Sequence, residues 1–301
     1  MRVAAIDLGT NSTRLLVADV DEGRVEEVER ALKITRLGEG VDTRRRLLPL
    51  PIARVRNVLS DFRRTAERLG AERTLAVATS AVRDAENGEA FLGEVEWGYG
   101  FSTRLLSGEE EAKLTYRGVT AGRPLEPGTL IVDIGGGSTE LILSDQHVSL
   151  DVGCVRLTER FGEDVRAAGG HVAWKLPNLP VKAAIGVAGT ITSLAARDLR
   201  LLEYDPERVH GHKIARQAVD ALLDRLASLP LARRRELPGL EPERAPVIVG
   251  GAVIVREVLA RYGLEAIEAS ERDLLHGAAL EAAALPEPVE GDAPPGAYTC
   301  C

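Results

Sequence analysis

Apolar and polar positions alternate along residues 2–7, 13–20 and 24–33, and this period of two predicts three successive strands at the start of the chain. Leu37-Gly38-Glu39-Gly40 then breaks the pattern. From Ile52 to Leu69 the rhythm changes: Ile52, Val55, Val58, Leu59, Phe62, Ala66 and Leu69 recur at helical spacing, with Gly70 placed to close the helix. Leu75 to Ala78 reads as a short buried strand, and Ser80 to Asn87 as a turn or helix start. Asn87-Gly88 opens a helix around Phe91 to Trp97. Ser107, followed by Glu109, Glu110 and Glu111, predicts a capped helix running through Ala112, Leu114, Tyr116 and Val119, because early acids complement the helix dipole.

The second half repeats the opening plan. Strands are expected at about 129–134, 139–144 and 147–152, then a helix from about Cys154. Residues 165–180, with Gly169-Gly170 and two prolines, read as a loop. A strand from Ala183 to Val187 runs into Gly186 to Thr192, after which a helix begins, with further helices at 213–228, 247–262 and 272–284. The β-β-β-α-β-α plan thus occurs twice, joined by a hinge at Gly122, Pro124, Pro127 and Gly128. These patterns make the chain α/β, with an N-terminal domain at 1–124 and a C-terminal domain at 125–284. Two domains of about 150 residues each also match the length prior. Residues 285–301 are rich in Pro, Glu and Gly and are expected to be a disordered tail.

Two of the predicted hairpins carry nearly the same residues. Asp7-Leu8-Gly9-Thr10-Asn11-Ser12-Thr13 and Asp133-Ile134-Gly135-Gly136-Gly137-Ser138-Thr139-Glu140 each place an acid at a strand end, before a turn of small residues and a returning strand. Backbone N–H groups at such tips cup phosphate oxygens, and the acids Asp7, Asp133 and Glu140 suit a divalent cation. Oxygen ligands favour Mg²⁺ or Mn²⁺ over zinc. Two copies in separate halves suggest half-domains facing a shared phosphate-binding cleft. Glu109-Glu110-Glu111 either complements a helix dipole or supplies the general base that phosphoanhydride hydrolysis requires. Arg83, after a buried strand, either holds phosphate or pairs with Asp84 or Glu86. The turn holding Gly189 and Thr190 either binds a phosphate or the base end of a nucleotide, or allows close packing.

Composition narrows the setting. The net charge is −8, yet from Arg30 to Arg83 basic residues clearly outnumber acids, which gives a local field able to steer a polyanion. No apolar run is long enough to span a membrane, and the chain begins directly with a strand, leaving no room for a secretory signal. Cys154, Cys300 and Cys301 have no spacing that suits a disulfide framework or zinc site, so a reducing, cytoplasmic location is expected.

DLGTNST (7–13), ATSAVRDAENGEAF (78–91), LLSGEEEAKL (105–114), VDIGGGSTELI (132–142), GVAGTITSLAA (186–196), VHGHKI (209–214) and the 246–277 stretch ending ASERDLLHG together resemble the Ppx/GppA family of exopolyphosphatases and guanosine pentaphosphate phosphohydrolases. The resemblance implies two ribonuclease-H-like domains of the actin/sugar-kinase/Hsp-type chaperone superfamily, with an active site in the cleft between them. It assigns the general base to Glu111, with Glu110 as fallback, and metal-associated roles to Asp133 and Glu140. Asn11, Ser12, Arg83, Gly136, Gly137 and Ser138 match its phosphate contacts. The implied substrate is inorganic polyphosphate or guanosine pentaphosphate, not a nucleic-acid polymer, and a homodimer is plausible for the family. An ATP-dependent kinase on the same fold is the rival, against which the Glu-rich SGEEEA segment argues. Longer members carry an added helical HD-like domain and a C-terminal domain that this chain lacks, which favours a two-domain enzyme acting on shorter chains.

Overall fold

The structure, a computed structural model, describes residues 1–121 and 124–286. It divides into two units, one formed by Met1–Arg123 with the segment from Leu274 onward, the other by Pro124–Asp273. The hinge glycine Gly122, the tail beyond Pro286 and the thiols Cys300 and Cys301 lie outside the described residues. No helix among the described residues is long and apolar enough to cross a membrane.

In the first unit, β1 (Arg2–Leu8), β2 (Ser12–Asp21) and β3 (Arg24–Ile34) form the antiparallel run that the alternation predicts. α1 (Val41–Arg44) and α2 (Pro49–Arg68) follow, then β4 (Arg73–Ala78), α3 (Ser80–Arg83), α4 (Gly88–Tyr99), β5 (Ser102–Leu105) and α5 (Gly108–Thr120). The sheet order is β3-β2-β1-β4-β5, with β1, β4 and β5 parallel. Alternate residues of β1 feed two cores. Ala4, Ile6 and Leu8 pack with Leu15, Val17 and the α2 residues Val55, Leu59 and Phe62. Val3 and Ala5 pack on the other face with Leu16, Val77 and Leu114.

The second unit repeats this plan with β6 (Thr129–Ile134), β7 (Thr139–Ile142) and β8 (His147–Leu150), then α6 (Cys154–Phe161) and α7 (Val165–Lys175). After them come β9 (Ala183–Val187), α8 (Ala188–Asp198), α9 (Pro206–Val209), β10 (Lys213–Ala215), α10 (Arg216–Ser228), α11 (Leu231–Arg234), α12 (Ile248–Tyr262) and β11 (Ala266–Ala269). Its sheet runs β10-β11-β9-β6-β7-β8, with β6, β9 and β11 parallel. Each unit therefore has the mixed five-strand core of a ribonuclease-H-like fold, the second with β10 added at its edge.

Two sequence expectations need correction. Residues 165–175 are a helix, not loop: the Asp164 side chain caps it by accepting from the Ala167 N–H at 2.9 Å, and Ala168 and Val172 are buried. Gly169 is tolerated within it because Arg256 and Glu257 of α12 press so close that a Cβ would lie 2.6 Å from Arg256 Nη2. The second correction concerns α13 (Leu274–Ala284), which belongs to the first unit rather than the second. Leu274, Leu275, Ala278, Ala279 and Ala282 cover the sheet face carrying Val3 and Ala5. Gly277 permits that seat, since a Cβ there would meet the Leu114 carbonyl oxygen at 2.0 Å.

Candidate active site

Parallel strands put their carboxyl ends on one sheet edge, where open α/β sheets bind ligands. In the first unit that edge carries the β1–β2 tip after Leu8, α3 after β4, and the α5 entry after β5. Side chains link the three in sequence. Thr10 Oγ1 and Ser80 Oγ lie 2.8 Å apart, joining the tip to α3. Arg83 Nη1 donates to the Leu106 carbonyl at 2.7 Å and to Glu111 Oε2 at 3.2 Å, joining α3 to α5.

The tip is a tight turn, closed by the Gly9 N–H donating to the Ser12 carbonyl at 3.0 Å. The Thr10 and Asn11 N–H groups donate to no partner among the described residues, as a phosphate cradle requires. Asn11 is 6% exposed, and its Nδ2 also lacks a partner there. A buried donor in that state is satisfied by the oxygen of a water or of a ligand.

The neighbouring glutamates of α5 divide their work. Glu110 closes a capping box: its carboxylate accepts from the Ser107 N–H and hydroxyl at 2.8 Å each, while the Glu110 N–H donates back to Ser107 Oγ. Arg104 binds the same carboxylate at 2.5 Å, and these donors, Arg104 foremost, hold its pKa at about 2. Glu110 is thus committed to the helix start. Glu111, one position on, is 6% exposed and faces Arg83. Only Arg83 Nη1 is used in that pairing, so Nη2 and Nε make no hydrogen bond among the described residues. Arg83 does not take the alternative pairing with Asp84 or Glu86.

Asp7, read from sequence as a metal ligand, is held by Arg14 opposite it in the hairpin register: Arg14 Nε and Nη2 both reach Asp7 Oδ2 at 2.8 Å. A cation there would share the carboxylate with a guanidinium.

In the second unit, Asp133 and Glu140 are direct cross-strand partners on β6 and β7, and both are buried. Glu140 Oε1 accepts from Ser149 Oγ at 3.0 Å. Two buried carboxylates on one sheet face repel each other unless donors or a cation compensate them. Carboxylate oxygens are the donors that a hard divalent ion takes. No larger cage of His, Cys, Asp or Glu is assembled among the described residues. The tip between them is fixed by Gly135 N–H donating to the Ser138 carbonyl at 3.0 Å, and by Val155 and Arg156 N–H donating to the Gly136 carbonyl. Those bonds leave the Gly136 and Gly137 N–H groups without partners among the described residues.

The Ppx/GppA phosphatase family pattern matches residues 16–284. The chain belongs to the Ppx/GppA phosphatase family. It is 37% identical to exopolyphosphatase 2 of Mycobacterium tuberculosis, over 94% of this chain and 98% of that protein. It is 31% identical to the guanosine-5'-triphosphate,3'-diphosphate pyrophosphatase of Aeromonas hydrophila, over 88% of this chain but 56% of that longer protein. The solved Ppx-GppA enzyme of Aquifex aeolicus shares 32% identity, covers 92% of this chain and 98% of its own, and superposes with a TM-score of 0.78.

Three residues of this Ppx/GppA chain escaped sequence reasoning. Arg14 is the first, legible only once hairpin register sets residue 14 against residue 7. Gly153 is the second: a Cβ there would sit 2.3 Å from the Gly136 carbonyl oxygen and 2.5 Å from the Gly137 nitrogen, so α6 can start against the tip only with glycine. Arg244 is the third. Its guanidinium lies on Gly189, where a Cβ would meet Nη1 at 2.1 Å, and its buried Nε has no partner among the described residues. Ala188, before Gly189, has φ +66°, a left-handed conformation that non-glycine residues seldom adopt. The Gly189–Thr190 turn is thus covered by a cation, a feature that an arginine in the Gly/Pro-containing segment 238–246 did not announce.

Proposed function

We propose that this chain is an exopolyphosphatase, which hydrolyses the terminal phosphoanhydride of inorganic polyphosphate and releases orthophosphate. The observation that carries the reading is the Glu111–Arg83 pair, set on the same sheet edge as the Thr10–Ser12 tip. Glu111 takes a proton from the attacking water, and its burial limits the competing solvation of that carboxylate. Arg83, with Nη2 and Nε spare, binds the terminal phosphoryl oxygens and offsets the charge that builds in the in-line transition state. The tip N–H groups of Thr10 and Asn11 hold the chain through its oxygens, and in the second unit the Gly136 and Gly137 N–H groups offer donors of the same kind. Asp133 and Glu140 would hold Mg²⁺ or Mn²⁺, which supplies charge neutralisation to the phosphate oxygens when bound. The bond that breaks joins the terminal phosphorus to its bridging oxygen; orthophosphate leaves, and the chain shortens by one unit.

Guanosine pentaphosphate is the second substrate considered, favoured by the name of the Aeromonas relative. Coverage of the Gly189 turn by Arg244 argues for a phosphate chain before a nucleoside at that place. This reading puts the reaction in the cytoplasm. The test is orthophosphate release from short polyphosphate, long polyphosphate, guanosine pentaphosphate and ATP, each with and without Mg²⁺. Metal-dependent release from polyphosphate in preference to the nucleotides is expected. Preference for guanosine pentaphosphate would replace the leading reading with the second, and transfer from ATP to an acceptor would refute both.

A further inference from the structure

The arginine-rich stretch from Arg30 to Arg83 is not one uniform positive field. Five of its arginines are spent on neighbouring carboxylates: Arg30 pairs with Glu27 at 3.6 Å, Arg54 with Glu39 at 2.7 Å, Arg63 with Glu67 at 2.7 Å, Arg56 with Glu94 and Arg64 with Asp61. Arg44, Arg45 and Arg46 differ. All three are exposed, and none pairs with a carboxylate among the described residues.

Their backbone is anchored at both ends. Upstream, the Thr35 and Arg36 N–H groups donate to the Asn11 carbonyl at 3.1 and 2.9 Å, and the Gly38 N–H donates to the Thr10 carbonyl at 2.8 Å. Gly38 lies so close to the tip that a Cβ would come within 2.2 Å of Thr10 Cγ2. Downstream, the Glu86 N–H donates to the Arg45 carbonyl at 2.8 Å, just beyond Arg83. Leu47 is clamped by Asn87, which accepts its N–H at 2.8 Å and donates to its carbonyl at 3.1 Å. Arg45 itself is held at φ +53°, a left-handed conformation that is unusual for arginine. The segment therefore runs as a fixed strap from the phosphate-cradling tip to the turn that carries Arg83.

We propose that Arg44, Arg45 and Arg46 form an outboard ridge that binds the internal phosphates of a linear polyphosphate chain and so tightens binding of chains long enough to reach it. The inference rests on the exopolyphosphatase reading. A polyphosphate carries charge on every unit, so a chain too short to reach the ridge gains nothing from it. Exposed charge contacts are worth roughly two- to five-fold each, so three together favour a long chain by about ten-fold or more.

The test compares the wild type with the combined Arg44→Ala, Arg45→Gly, Arg46→Ala variant, glycine being chosen to fit the left-handed position. The expected result is a KM for long-chain polyphosphate raised about ten-fold, with kcat unchanged and tripolyphosphate turnover unaltered. The log–log dependence of KM on salt should flatten by about two, and lysine at all three positions should restore most of the lost affinity. An unchanged KM on long chains, an equal loss on tripolyphosphate, or equal competition by a single-stranded oligonucleotide of matched charge would overturn the ridge. Calorimetric binding of long-chain polyphosphate to both proteins separates the two claims. Ridge-dependent binding without turnover would refute the hydrolase reading alone, and ridge-independent binding would refute the ridge.

Discussion

Glu110 and Glu111 are adjacent in sequence and identical in chemistry, yet the structure gives them unrelated work, so their substitutions should separate cleanly. Glu111→Gln preserves shape and keeps an acceptor for Arg83 Nη1, which also retains the Leu106 carbonyl. Only the charge on one hydrogen bond of 3.2 Å is lost, with a partner whose side chain is 26% exposed, so the stability cost is about 1 kcal/mol or less. Loss of a general base should lower kcat by about 100-fold or more, which corresponds to about 3 kcal/mol in the barrier. Glu110→Ala does the reverse. It removes the carboxylate that accepts from the Ser107 N–H and hydroxyl, and one of the two carboxylate partners of Arg104, the other being Glu281, a loss of about 1–2 kcal/mol, which lowers Tm by about 2–4 °C per kcal/mol in a domain of this size. Turnover by the folded fraction should stay within about three-fold, since Glu110 touches no reacting atom. Orthophosphate release and thermal melts on both variants decide the matter. Near-normal turnover in Glu111→Gln beside collapse in Glu110→Ala would refute the assignment.

Arg83→Lys keeps the charge but loses the fork that serves Glu111 and phosphate together, so kcat should fall about ten-fold or more with the fold intact; unchanged kinetics would remove Arg83 from the transition state. Gly153→Ala drives a methyl into the Gly136–Gly137 peptide, so the KM for polyphosphate should rise steeply, and an unaffected KM would show that the tip does not bind the chain. Acid should erase the Glu110 contribution in a defined window. Its folded pKa of about 2 lies below the ordinary 4.5, so the stabilisation is complete above 4.5 and is lost as pH falls toward 2. The stability gap between wild type and Glu110→Ala should be flat near neutrality and close over that window; a gap that widened in acid would contradict the capping role.

Much of the fold was legible because period and punctuation agreed. The strands at 2–7 and 13–20, the α2 stripe ending at Gly70 and the Ser107 cap all announce themselves locally, and the structure keeps them within a residue or a few. Failures came where tertiary packing overrode local signals. Gly169-Gly170 looks like a break until α12 is seen packed against Gly169, and sequence order puts α13 in the second unit although a sheet face of the first unit claims it. The same division holds for the site. Glycine tips and acids at strand ends are local motifs, whereas Arg14, Gly153 and Arg244 matter only through neighbours that a one-dimensional reading does not bring close.

The central claim is that water, activated at Glu111, attacks the terminal phosphorus of a polyphosphate chain. Turnover in ¹⁸O-labelled water, followed by mass spectrometry of the products, tests it most directly. The account predicts one labelled oxygen in each orthophosphate released and none in the shortened chain. Unlabelled orthophosphate with label in the remaining chain, or loss of units from the chain interior, would contradict it.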